Sequence, residues 1–145
     1  MAKHMSKSVV VRGDVSSIYR LWTEFEKFPE FMRNIRRVQR DGDMTHWVMD
    51  GPLGKTYAWD AMITAMDEDH RIAWQSIRGD IETNGEVRFD SVSPDQTRVT
   101  VSIEYAPPGG LVGDFAARFT GDPQERLEED VERFKEYAQR VLQAA

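Results

Sequence analysis

Histidines, carboxylates and hydroxyls are the groups through which a chain without cysteine does chemistry, and in this sequence they do not converge. There is no cysteine among the 145 residues, which removes thiolate catalysis, disulfides and Cys-based metal sites. The three histidines, His4, His46 and His70, stand far apart, and none has a metal-ligand partner at i+3 or i+4. No G-x-S-x-G elbow, P-loop or G-x-G-x-x-G is present. Asp67-Glu68-Asp69 lacks the alternating spacing and glycine of a calcium loop and reads as a solvated turn. The sequence therefore assigns no catalytic residue, no metal and no cofactor.

What it does supply is aromatic and thioether surface: four Trp, four Tyr, seven Phe and seven Met. Methionine is a soft, adaptable lining. Trp and Tyr add polar tips that need partners when buried. A mainly apolar wall with a few polar tips is the usual make-up of a small-molecule pocket. Rings also fill ordinary cores, so the elements that hold them decide between the two.

The longest of those elements is the amphipathic run Asp122 to Leu142. Asp122 is an N-cap, Pro123 suits the first turn, and Glu125 completes a capping-box pattern. Leu127, Val131, Phe134, Ala138 and Val141 recur at spacings of three and four, on one helical face. The other face is charged, with Glu129–Arg133 and Glu136–Arg140 as i,i+4 pairs. A helix of roughly 20 residues is about 30 Å long, and its apolar face needs something broad to lie on.

The preceding residues read as a sheet. Residues 1–6 are expected as a disordered tail and 7–145 as one domain. Val9-Val10-Val11 marks the first strand. Asp14 caps a short helix through Ile18, Leu21 and Trp22, and Thr23-x-x-Glu26 is a second capping box that breaks the helical region in two. Phe25, Phe28, Phe31 and Met32 follow as a dense aromatic surface. Alternation then puts Trp47 and Met49 on one strand face. Tyr57, Trp59, Ala61, Ile63 and Ala65 share a face of the next strand, and Ile72, Trp74 and Ser76 of another. Val87 with Phe89, and Val99, Val101, Ile103 and Tyr105, alternate in the last two. Such strands form an antiparallel sheet wetted on one side. Pro107-Pro108-Gly109-Gly110 stops the last strand, and Leu111, Phe115 and Phe119 form a short amphipathic helix.

The formal net charge of −6 argues against a sequence-independent nucleic-acid binder. Arg33, Arg36, Arg37 and Arg40 would suit an anionic partner, but a charged strand edge is the commoner meaning of such a run. No apolar run approaches membrane-spanning length and the N-terminus has no signal-peptide core, so a cytoplasmic location is expected. The oligomeric state stays open.

Strand, two short helices, six strands and a long C-terminal helix is the order of the helix-grip fold of the START and birch-pollen-allergen superfamily. Ile18-Tyr19-Arg20-Leu21-Trp22 followed by Phe28-Pro29-Glu30-Phe31 resembles a segment of its polyketide cyclase/dehydrase and lipid-transport family. Arg71 to Ser76, Gly85-x-Val87-x-Phe89, Tyr105 to Gly110 and Asp130 to Lys135 are similar to the bacterial branch. The resemblance implies an α+β fold, a curved sheet of about seven strands around the helix, and a ligand cavity, without fixing a reaction. The expected ligand is a lipid, an isoprenoid quinone or an aromatic polyketide, held by Trp47, Tyr57, Trp59, Trp74, Phe89, Tyr105, Phe115 and Phe134 in a carrier or sensor. The alternative is a polyketide cyclase, aromatase or dehydrase, with Tyr57, Tyr105, Asp60 and His46 as candidate acid/base groups. The Gly51–Gly54 turn and the Gly109–Phe119 segment are expected to border the mouth.

Overall fold

Alternating apolar and polar residues set the sheet. A computed structural model describes residues 3–51, 54–106 and 123–144. Its elements run β1 (Lys3–Arg12), α1 (Val15–Thr23), a 3-10 helix (Phe25–Glu30), β2 (Ile35–Asp41), β3 (Met44–Asp50), β4 (Thr56–Asp67), β5 (Arg71–Gly79), β6 (Glu82–Ser93), β7 (Gln96–Ala106) and α2 (Pro123–Ala144). The strands make one antiparallel sheet in the order β1-β7-β6-β5-β4-β3-β2, curled around α2 as the helix-grip order requires. β1 and β2 are consecutive in the chain but lie at opposite edges. The two short helices between them therefore bridge the sheet's concave side.

β1 begins at Lys3, not at Ser8. Pairing with β7 explains the extra residues: Lys3 faces Tyr105 and Met5 faces Ile103, and Met5 is buried. The tail expected through residue 6 is thus strand from Lys3 onward. α1 starts where predicted, with the Asp14 carboxylate accepting from the Ser17 amide at 3.2 Å. The helical region breaks after Thr23, but not through a capping box. The Thr23 hydroxyl turns back to donate to the Arg20 carbonyl at 2.6 Å, and the 3-10 helix has no side-chain cap.

On α2, Leu127, Val131, Phe134 and Ala138 are buried as expected, joined by Tyr137, while Glu125, Glu129, Glu132 and Glu136 are exposed. Arg133 pairs with Glu129 at 3.3 Å; Arg140 lies over the Tyr137 ring rather than against Glu136. The N-cap Asp122 lies outside the described residues. α2 packs along β1 and against α1. Leu127 and Val131 line the same space as Val87, Val101 and Ile103. Phe134 instead meets Trp22 and Phe31, at 4.5 and 5.2 Å between centroids. Phe89 meets Tyr19 at 5.3 Å, because α1 lies over that end of β6.

Register shifts interrupt β4–β5 at Asp60/Ala61 and at Ile63/Ala65. Such bulges bend a strand and increase its twist. At the first of them Gly79 has φ +121°, and a Cβ there would stand 2.4 Å from the Trp59 Cα. Only glycine lets β5 approach β4 so closely at that point.

Candidate functional site: an aromatic cavity between sheet and helices

The curl leaves a cavity of about 190 Å³ between the sheet, the short helices and α2. Three sheet tryptophans form one wall. Trp47 and Trp59 are directly opposite in the β3–β4 register and stack at 5.8 Å with 7° between planes. Their shared face is what alternation dictates, and the register brings them side by side. Trp47 Nε1 donates to the buried Thr45 Oγ1 at 2.8 Å, which donates to the Ala61 carbonyl at 2.8 Å. The indole's polar tip is thus satisfied within the sheet and presents its apolar face inward. Trp74 faces Gly85 across β5–β6 and covers it: a Cβ on Gly85 would be 2.7 Å from Trp74 Cζ2.

The opposite wall comes from the short helices. Trp22, Phe25 and Phe28 line the cavity, and Phe28 reaches Trp47 at 5.7 Å between centroids. Trp22 is enclosed by Phe28, Phe31 and Phe134. Among the described residues its buried indole N–H has no nitrogen or oxygen partner. The Trp22 ring plane is nearly perpendicular to those of Phe28 and Phe31, at 5.5 and 5.7 Å between centroids.

Polar groups interrupt this lining at few places. Thr83 lines it from β6, its hydroxyl donating to the Glu104 carbonyl. Asn34, Arg126 and Asp130 form a second polar group, where α2 meets the chain leading into β2. Asp130 accepts from Arg133 Nη1 at 2.9 Å and from the Arg33 backbone amide. Burial nevertheless dominates and raises its carboxyl from 3.8 to about 6, against the opposing pull of Arg133, the Arg33 amide and Arg126. Among the described residues no three His, Asp or Glu side chains gather as a metal site.

The family description "polyketide cyclase / dehydrase and lipid transport" matches residues 11–132. The chain belongs to this family. A curated relative is the uncharacterised 17.2 kDa protein of the melC2–rnhH intergenic region of Streptomyces lincolnensis. It is 33% identical over 134 residues, covering 92% of this chain and 87% of that one. A START superfamily protein from Mycobacterium smegmatis superposes with a TM-score of 0.72 at 16% identity, over 98% of this chain and 99% of that one. The Zhui aromatase/cyclase from Streptomyces sp. R1128 does so with a TM-score of 0.64, also at 16% identity, over 98% and 92%. At such identities the two structures speak for the START-like fold.

Within this family member, Trp47, Trp59 and Trp74 line the cavity as the alternation predicts. Tyr57, Phe89 and Phe134 do not. Tyr57 is half-buried against the core near the start of β4, Phe89 sits under α1, and Phe134 is sealed in the ring cluster with no exposure. Alternation assigns a face but not the distance from the face to what covers it. Tyr105 is placed by its backbone in β7, opposite Lys3 and Thr83, and its side chain is outside the description. Phe115 and the whole Gly109–Phe119 segment also lie outside the described residues, as do Pro52 and Leu53. Gly51 and Gly54 are not part of the lining.

The candidate acid/base pair His46 and Asp60 faces away from the cavity. The two side chains meet on the sheet's outer side at 2.6 Å, where Arg78 also reaches Asp60 at 2.6 Å. Each alternates with an inward tryptophan, so neither can point in. Hydrogen bonds from His46 and then Arg78 hold the Asp60 carboxyl below its ordinary range. Sequence reading names Trp22, Phe25, Phe28 and Asp130 within elements and motifs but assigns none of them, nor Arg126, to the site. A positional hint for Asp130 is its place three residues after Leu127 and beside Val131, an acid on the margin of the apolar stripe.

Proposed function

We propose that the protein binds one largely apolar small molecule in this cavity, as a carrier or sensor. The observation that supports it is the lining: indole and phenyl rings from both walls, with the Trp47 N–H already used inside the sheet. A volume of about 190 Å³ lies below the ~300–1,000 Å³ of drug-sized pockets and above the ~150 Å³ that admits benzene. It holds a one- or two-ring molecule whole, and a lipid or isoprenoid quinone in part. Fatty acids, isoprenoid quinones and aromatic polyketides should be titrated while tryptophan emission and product formation are followed together. Saturable change in emission without turnover is the expected result.

A second reading is polyketide cyclisation or dehydration, and Asp130 favours it. A carboxyl with a pKa of about 6 on a cavity wall is suited to moving a proton near neutral pH. Turnover of a poly-keto substrate that disappears in Asp130→Asn, with binding intact, would replace the carrier reading with this one.

A further inference from the structure

The sheet is not continuous over the cavity. The β5–β6 ladder runs from Arg71 with Arg88 only as far as Gln75 with Asn84. The next pair would be Ser76 with Thr83. There the Thr83 amide donates to the Ser76 hydroxyl at 3.0 Å instead of entering the ladder. Beyond that point the strands part. β5 stays on β4 as far as Gly79 with Trp59, and Asp80 is tied to Ala58 by hydrogen bonds of 2.8 and 3.0 Å. β6 starts at Glu82, on β7 and opposite Ala106. Ile81 joins the two sides of the gap. Ile77, the extra residue at the β4–β5 bulge, is 47% exposed beside it. A cleft of about 290 Å³ occupies the gap, and Gln75, Ser76, Ile77, Asn84 and Glu104 are among its lining. Ile81 and Thr83 line both this cleft and the aromatic cavity.

Resting on the cavity reading above, we propose that the bound molecule is amphipathic and passes through the sheet. Its apolar body lies among the tryptophans, and its uncharged polar end lies in the β5–β6 cleft, past Ile81 and Thr83. Either space alone, at about 190 or 290 Å³, falls short of the ~300–1,000 Å³ of drug-sized pockets, and the two joined reach it. Ile81 stands outside every ladder, so a shift of this residue breaks no ladder hydrogen bond. The cleft also has the groups for such an end. Gln75 faces Asn84 in the register, and Asn84 faces Glu104. The side-chain amides of Gln75 and Asn84 make no hydrogen bond among the described residues, and an amide can both donate to and accept from a hydroxyl. Ile77 offers an apolar rest for the methylenes that lead there. An anionic end is disfavoured: Glu82 and Glu104 have no ion pair among the described residues, while Arg78 is held by Asp60 at 2.6 Å.

Probes with one ring system test this on the full chain: naphthalene-2-methanol, which the aromatic cavity can hold alone, and its triethylene glycol ether, whose tail needs room beyond it. Affinities are measured by calorimetry. Asn84→Trp fills the cleft from an exposed position that is not part of the aromatic lining. It should weaken the ether about tenfold and the alcohol less than about twofold. In the unmodified protein, nuclear Overhauser contacts should join the tail methylenes to the Ile77 methyls and the ring protons to Trp47 or Trp59, a result that stands even if the variant fails to fold. The same tail ended in a carboxylate should bind several-fold more weakly, with the difference shrinking as salt is added. An ether that does not bind, that binds equally to Asn84→Trp, or whose tail contacts lie away from Ile77 would overturn the inference and leave the cavity reading in place. A carboxylate tail that binds as tightly as the neutral one would overturn the uncharged end. If the alcohol itself did not bind, the cavity reading would fall.

Discussion

Asp130 is a residue whose burial works against the fold. Its folded pKa of about 6 lies above the ordinary 3.8, so the native state binds more protons between those values. Stability from this group is full below about 3.8 and is lost as pH rises through about 6. The gap corresponds to roughly 3 kcal/mol, offset in a mutant by weaker contacts to Arg133 and the Arg33 amide. Asp130→Asn should therefore be more stable than the parent at pH 7.5, by about 1–2 kcal/mol in urea unfolding, and equal to it near pH 3. A loss of stability at pH 7.5 would mean that the Arg133 pair outweighs the burial. Thr45 acts in the opposite sense. It is 1% exposed and is the hydroxyl between Trp47 Nε1 and the Ala61 carbonyl. Thr45→Val keeps the shape and leaves that N–H and that carbonyl without it, which should cost about 1–3 kcal/mol. At this scale the sequence is legible where a rule of period two applies: Trp47, Trp59 and Trp74 face inward as alternation requires. It is silent on Asp130, because the depth of a helix margin depends on what β2 and Arg33 bring against it.

Elements are legible in order and type. The seven strands and the long amphipathic helix follow from periodicity and turns, and the helical region breaks after Thr23 where expected, though not through a capping box. Their mutual placement follows less well. Phe134 shows both halves: helical spacing buries it, yet its partners are Trp22 and Phe31 of the preceding helical segment, which spacing alone does not name. With zero exposure and rings on two sides, Phe134→Ala should cost about 3–5 kcal/mol; chemical denaturation giving less than about 1 kcal/mol would contradict the packing. The bulges that bend β4 against β5 leave no mark in the hydrophobic pattern. Gly79 carries the consequence, since both its φ of +121° and its contact with Trp59 exclude a side chain. Gly79→Ala should destabilise the protein and disturb Trp59, read as a changed Trp47–Trp59 exciton couplet in the ultraviolet circular dichroism. Gly42→Ala has a strained φ of +62° but nothing within 4 Å, and should lower stability while leaving that couplet unchanged.

The whole molecule is a half-closed grip around a hollow, and a hollow is a deficit of contacts that a ligand can restore. A ligand that binds the folded state alone stabilises it by RT ln(1 + [L]/Kd), about 2.7 kcal/mol at a hundredfold excess over Kd. Naphthalene-2-methanol at that excess should raise Tm by several degrees, read by thermal denaturation, and a Tm unchanged at saturating concentrations would deny it the cavity. None of the described helices is long and apolar enough to cross a membrane. The strand–helix order names the architecture, but the cavity's volume and polar lining do not follow from order. They depend on how far the curled sheet holds α2 from its own floor.

The placing of β1 beside β7 bears on how the chain is made as well as on how it stands. Every ladder partner of β1, from Lys3 with Tyr105 to Arg12 with Gln96, lies most of the chain's length away. β1 leaves the ribosome before β7 and is thus unable to enter the sheet until β7 has followed it. β2 to β7, by contrast, join as successive neighbours. The order favours a meander that grows by adjacent hairpins and is closed late by β1, with a loop-closure penalty that slows folding. Until that closure Val9 and Val11 remain in water and the β7 edge stays unpaired. That interval, rather than the finished protein, is when the molecule is most open to pairing with a neighbouring nascent copy.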